Sequence, residues 1–382
     1  MPKNFYQNQS PLTAAKIEIY QKYLKQYLPK ILNFKTCFIA DLFCGAGKNG
    51  EEKGSPLVSI DCVKYILNIP KIANSSVQIL FNDQDQKLVE NLKTNLEQPK
   101  ANKKIEIFIY NKKFEEILPN LIQKLESEKD RPKFFFLDPY TYSNVKMSDL
   151  QQLMDLESTE VLLFLPIFHS YRFANASNLG VNHKTRKFVQ EFTTKGIADY
   201  KGLDDFKDSI QAKIKQELNL KFVRPVLLDF GKRKNMLFLL TKNEAGMLAM
   251  NKVAFSVSEN GKGVEIKKCN QLSLFGTQGS SEFEKFANEL TKTLNTKKAM
   301  TNHEVVSFTI EQGFLPRHAK TILEKLFQKQ KIKVLDESQN PIEKKNQWNI
   351  AEKISKNVTF HVIPPNDKNW MDRRDLESLN RL

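Results

Sequence analysis

The chain has 382 residues, 40% hydrophobic and 27% charged, with a mean hydropathy of −0.47, so it can build two domains, and no apolar run approaches a membrane span. Its amino terminus is polar, and Cys37, Cys44, Cys62 and Cys269 include no C-x-x-C pair. A secretory leader, a disulfide framework and a metal site are not expected, which makes the cytoplasm the expected location. A net charge of +15 and a pI near 9.4 point to an acidic partner, nucleic acid first. Lysine greatly outnumbers arginine, and a lysine-rich composition alone would give the same balance.

Ile17, Tyr20, Tyr23, Leu24, Tyr27 and Leu28 recur at three- and four-residue steps, which predicts an amphipathic helix over about Ala14–Leu32 covering one face of a sheet. The apolar run from Thr36 predicts a buried strand, ended by Asp41 and followed by Phe43, Gly45 and Gly47 in a D-x-F-x-G-x-G spacing. Glycines there allow a tight turn and a close approach of backbone to ligand. The P-loop pattern fails, because Leu42 stands where its first glycine would be and Asn49 follows Lys48. Gly50 completes a dinucleotide-type spacing. Asp41 and Phe43 nevertheless suit S-adenosyl-L-methionine better, since that ligand brings an amino acid and a sulfonium but no phosphate. Ser55 is expected to cap a helix that begins at Pro56.

Strands follow at Val77–Phe81, Ile105–Tyr110, Lys133–Leu137 and Val161–Leu165, separated by amphipathic helices. Continuous apolar strands alternating with such helices predict a parallel sheet buried on both faces. Ligands of such sheets bind at the carboxyl ends of the strands, where Asp41, Asp83 and Asp138 fall. A mostly helical, polar insertion is expected over about 168–220, and Arg224–Phe230 with Asn235–Thr241 close the sheet as a hairpin. This is the strand usage of an α/β, class I S-adenosylmethionine methyltransferase-like Rossmann domain, here assigned to residues 1–269.

Residues 270–280 have the composition of a linker. Beyond them, helices at Ser281–Leu294, His303–Gln312 and Pro316–Gln330, a strand at Ile332–Leu335 and a further strand near Trp348 predict a winged-helix-like domain over 281–350, with a polar tail at 351–382. Its third helix carries Arg317, His318, Lys320 and Lys325, the expected nucleic-acid contacts. A winged helix used for protein contact would read the same way.

Four segments combine into a familiar order: K-x-x-I-Y-Q-K-Y-L-x-x-Y-L-P at Lys16–Pro29, D-L-F-C-G-A-G-K at Asp41–Lys48, G-S-P-L at Gly54–Leu57 and F-F-F-L-D-P-Y-x-Y at Phe134–Tyr142. With T-K-N-E-A-G-M-L-A-M-N at Thr241–Asn251, they resemble the bacterial three-Cys-motif partner protein family. That family has a methyltransferase-like Rossmann fold and is named for a partner protein with three cysteines. The resemblance implies that Asp41, Gly45 and Gly47 line the methionine part of S-adenosyl-L-methionine and that Asp83 holds the ribose hydroxyls. Toward the adenine, Lys113 stands where an acid is expected, leaving Asn111 or a backbone group for that contact.

Asp138-Pro139-Tyr140 resembles the D-P-P-Y motif of amino-methyltransferases, shortened by one residue, and the D-P-F-G motif of a tRNA guanine-N2 methyltransferase family. In such a motif Asp138 and the Pro139 carbonyl would accept the protons of an exocyclic amine, and Tyr140 or Tyr142 would stack on an extruded base. Cytosine-C5 chemistry needs a cysteine after a proline, and the chain has none. The expected function is methyl transfer from S-adenosyl-L-methionine to an exocyclic amine of nucleic acid. The alternative is a catalytically degenerate scaffold holding nucleic acid and a three-cysteine partner, which Lys113 and the missing second proline favour.

Overall fold

Helix α1 (Pro11–Ile31) starts where the Ser10 hydroxyl accepts the Thr13 N–H and Pro11 supplies a ready helical φ. Its apolar stripe lies on the sheet, with the Tyr20 ring stacked 4.5 Å from Phe136 and Tyr23 5.7 Å from Phe134. The computed structural model describes residues 10–34, 36–72, 74–96, 104–174, 184–197, 200–231, 233–265 and 282–364. The expected linker at 270–280 lies outside the described residues.

The sheet contains β1 (Thr36–Asp41), β2 (Ser76–Asn82), β3 (Ile105–Tyr110), β4 (Lys133–Leu137), β5 (Thr159–Leu165), β6 (Phe222–Phe230), β7 (Arg233–Thr241) and β8 (Gly263–Glu265). In space they run β8-β6-β7-β5-β4-β1-β2-β3. The first five strands are mutually parallel, β7 is antiparallel to both neighbours, and β8 adds a short parallel edge beside β6. This is the class I methyltransferase-like Rossmann order. Strand β4 is buried throughout: Phe135 and Leu137 enter one apolar layer, Phe134 and Phe136 the other. Helices α2 (Ser55–Leu67), α3 (Gln86–Leu96), α4 (Phe114–Glu126) and α5 (Met147–Asp155) alternate with the strands. Between β5 and β6, in the expected insertion, lie α6 (Ile167–Phe173), α7 (Lys184–Phe192) and α8 (Leu203–Glu217), and α9 (Glu244–Val257) follows β7.

At the amino end of the strands a buried polar cluster ties α1 to the sheet. Glu160 accepts hydrogen bonds from the Tyr23 and Thr241 hydroxyls, the latter at 2.8 Å. Burial raises the Glu160 carboxyl to about 7, against the two hydroxyl bonds and Lys30. A carboxyl raised on folding stabilises the fold while protonated. That contribution is complete below the ordinary glutamate pKa and disappears as pH rises through about 7. Glu160→Gln, which stays neutral, is expected to gain on the wild type from pH 5 to pH 8 by up to about 3 kcal/mol. Thermal melts across that range would show a Tm difference widening with pH; a constant difference would refute it.

The chain divides into compact units at 1–267 and 268–382. In the second, α10 (Glu282–Lys297), α11 (Asn302–Glu311) and α12 (Pro316–Gln328) combine with an antiparallel sheet of β9 (Ala299–Thr301), β10 (Ile332–Asp336) and β11 (Val358–Val362), with β11 central. Thr301 and Glu304 close a capping box at the start of α11. Two sequence expectations change here. Trp348 ends a short 3-10 turn, Lys345–Trp348, in place of a strand, and the central strand β11 falls inside the stretch assigned to a polar tail. Trp348 is instead a core residue, its indole 5.3 Å from Phe327 and 5.6 Å from Phe360.

Candidate functional site

Strands β1, β4 and β2 are neighbours, so Asp41, Asp138 and Asp83 come together at their carboxyl ends. The chain leaving β1 turns through Gly45 at φ +61° and Gly47 at φ +77°, the left-handed region where glycine is unstrained. A Cβ on Gly47 would stand 2.7 Å from Leu92 Cδ1, whereas one on Gly45 would meet nothing within 4 Å. Gly45 therefore leaves open space above the corner. The amino-terminal part of α1, this corner, Ser55 and Asp138–Tyr140 enclose a cavity of about 270 Å³.

Asp41 is buried, and Ser55 Oγ donates to its Oδ2 at 2.6 Å. Ser55 is thus the first residue of α2 with Gly54 as its cap, and its hydroxyl serves Asp41 instead of the helix terminus. Burial raises the Asp41 carboxyl to about 7; Ser55, the Phe43 backbone N–H and Lys16 oppose the shift and the charge of Asp138 adds to it. Among the described residues Asp41 Oδ1 has no hydrogen-bond partner.

The Asp83 carboxylate, only 1% exposed, is filled by protein donors. Gly45 N–H reaches Oδ2 at 2.9 Å, Tyr140 O–H reaches the same oxygen at 2.6 Å, and Asp85 N–H reaches Oδ1 at 3.0 Å. Tyr140 therefore covers Asp83, while its ring is half exposed and meets Phe43 edge-on at 6.3 Å. Phe43 in turn stacks on Phe114 at 5.1 Å. Asn111 donates to the Asp83 backbone carbonyl at 2.9 Å, which fixes the ends of β2 and β3 against each other. Lys113 is the exposed N-cap of α4.

Asp138 and Pro139 line the cavity. The Asp138 carboxylate is paired with the ammonium of Lys16, a buried side chain that also sits 4.5 Å over the Phe164 ring. Lys16 was not expected as a site residue. Its signal was a lysine three, four and seven residues before Ile19, Tyr20 and Tyr23, within the buried stripe of α1. Tyr142 departs from the stacking role expected for it. Its hydroxyl lies 2.7 Å from Thr185 Oγ1 and its ring 4.9 Å from Phe188, so it seats α7.

On α12, Arg317 is exposed and Lys320 and Lys325 are partly so. His318 departs from the expected groove-facing role: its Nδ1 accepts the Leu315 N–H at 3.1 Å, and its ring lies edge-on to Phe314 and Phe283. Burial, then the neighbouring Arg317, lowers it to about 4, which keeps Nδ1 an acceptor at neutral pH. His318 caps its own helix. Among the described residues no helix is long and apolar enough to cross a membrane, and no group of three or more metal-ligating side chains occurs.

Residues 265–339 match the GMT-like wHTH domain. The second unit thus carries a winged helix-turn-helix domain, and the match does not reach the Lys16–Asn251 stretch on which the three-Cys-motif resemblance rests. No curated protein matches the chain. Among solved structures, the plantazolicin methyltransferase BamL, in complex with a triazolic desmethylPZN analog and SAH, is similar at 11% identity and TM-score 0.32, over 60% of this chain and 86% of that one. An O-methyltransferase from Bacillus cereus in complex with SAH is similar at 15% identity and TM-score 0.31, over 62% and 83%. The SAH-bound Podospora anserina methyltransferase PaMTH1 follows at 8% identity and TM-score 0.28, over 58% and 86%. These likenesses are distant, and the architecture stands on the chain's own strand order.

Proposed function

We propose that the first unit binds S-adenosyl-L-methionine at the Gly45–Gly47 corner and transfers its methyl group to an exocyclic amine of nucleic acid, in the cytoplasm. The observation that carries this reading is the convergence of Asp41, Asp83 and Asp138 on one open glycine corner at the carboxyl edge of a methyltransferase-ordered sheet. The donor set suits the ligand. Among the described residues Asp41 has an unpartnered oxygen, Gly45 leaves space without a Cβ, and Asp83, now under Tyr140, has two oxygens that would match adjacent ribose hydroxyls once that hydroxyl is displaced. The cofactor supplies an electrophilic methyl; the chain supplies alignment, with Asp138 as an acceptor for amine protons. The GMT-like wHTH domain supports a nucleic-acid partner through Arg317, Lys320 and Lys325.

A second reading is a scaffold that no longer transfers methyl groups and joins nucleic acid to a three-cysteine partner. It is favoured by two carboxylates already in use, Asp83 under Tyr140 and Asp138 against Lys16. Titration calorimetry with S-adenosylmethionine and S-adenosylhomocysteine, with methyl-tritiated cofactor offered transfer RNA and duplex DNA, separates the two. Binding with label transferred to either nucleic acid is expected. Binding without transfer selects the scaffold, and no binding at all removes the cofactor reading.

A further inference from the structure

The cavity holds a charge pattern that the three acids alone do not explain. Asp138 and Lys16 both line it, paired as carboxylate and ammonium, while Asp41 is fully buried and held by Ser55. Lys16 enters from α1, a helix that precedes the glycine corner in the chain and forms the cavity wall facing it. Its side chain is 11% exposed, and burying an ammonium that far is costly without full compensation. Asp138 takes one of its three N–H donors and the Phe164 ring lies against another side. Donor capacity therefore remains on a buried cation that lines the cavity.

The amino-acid end of S-adenosylmethionine carries both an ammonium and a carboxylate, beside its sulfonium. One acid and one buried base on the cavity wall, Asp138 and Lys16, can pair the ligand's ammonium and its carboxylate in a pocket where an unpaired charge is costly. Resting on the cofactor reading above, we propose that Lys16 is the subsite for the α-carboxylate of the cofactor's methionyl end, shared with Asp138 so that the carboxylate and the acid flank one ammonium. Lys16 then selects a ligand bearing an intact amino acid over one that presents only adenosine and sulfur.

Two ligands isolate this contact. S-adenosylhomocysteine has the α-carboxylate, and 5′-deoxy-5′-methylthioadenosine keeps the adenosine and the sulfur but lacks the amino acid. Calorimetric titration of the full chain as wild type, Lys16→Met and Lys16→Arg is the experiment, with circular dichroism melts to verify folding. Lys16→Met is expected to weaken S-adenosylhomocysteine about 10- to 150-fold, the range for a charge-assisted hydrogen bond, and to change methylthioadenosine by less than about 2-fold. Lys16→Arg keeps the charge and is expected to stay within about 3-fold of wild type for both. Equal weakening of both ligands would overturn the proposal and make Lys16 a neutralising partner of Asp138 only, and so would an unchanged S-adenosylhomocysteine affinity. If the wild type binds neither ligand, the cofactor reading itself fails and takes the subsite with it.

Discussion

Asp83→Ala is expected to weaken S-adenosylhomocysteine binding by at least about 100-fold. A carboxylate that receives two ribose hydroxyls contributes two charge-assisted hydrogen bonds, each about 1.5–3 kcal/mol. The same substitution also strips the Gly45 N–H of its acceptor, so the left-handed turn at Gly45 loses its fastening to β2. Both effects act on the same corner and in the same direction. Tyr140→Phe is expected to run the other way. The Tyr140 hydroxyl occupies Asp83 Oδ2 at 2.6 Å, so on the proposed cofactor reading an entering ribose must displace it. Removing that competitor should tighten binding by about 10-fold or more, the worth of one hydrogen bond to a charged group. Calorimetry on both variants checks the pair. A loss below about 5-fold in Asp83→Ala would mean that the ribose is held elsewhere, and weaker binding in Tyr140→Phe would make Tyr140 a ligand contact instead of a competitor.

The residues legible in the sequence were those whose role is local. Asp41, Asp83 and Asp138 each end an apolar run, and a strand end in a parallel sheet can point only toward the ligand edge. Gly45 and Gly47 announced a left-handed turn because few other residues tolerate it, and both have positive φ. What the side chains do across the chain was not local. Lys16 meets Asp138 from 122 residues away and Tyr140 meets Asp83 from 57, and no spacing rule connects such positions. His318 read as a base contact because a histidine beside an arginine on a basic helix does so on composition, whereas the cap at Leu315 and the rings of Phe283 and Phe314 set its actual place. Strand β11 was hidden for a different reason. Its alternation Val358, Phe360, Val362 is plain, but it lies between polar stretches and has only five residues.

That strand is also where the second large effect is expected. Trp348 is fully buried against Phe327 of α12 and Phe360 of β11, so it joins the third helix to the central strand of the sheet. Trp348→Ala removes a large aromatic from the middle of a small domain, and such truncations cost about 3–5 kcal/mol. For a domain of this size each kcal/mol lowers Tm by about 4–8 °C, so its melting should drop by roughly 12–40 °C. On the proposed reading, nucleic-acid retention through α12 would be lost over the same interval, because Arg317, Lys320 and Lys325 keep their arrangement only while α12 stays packed. Trp348→Phe is expected to cost less than half as much. The indole Nε1–H has no acceptor among the described residues, so phenylalanine gives up apolar area but also removes a buried donor left unpaired. Circular dichroism melts with and without duplex DNA test both variants. A change under about 1 kcal/mol in Trp348→Ala would show that the domain repacks around the gap, and equal costs for alanine and phenylalanine would show that a phenyl ring recovers none of the lost packing.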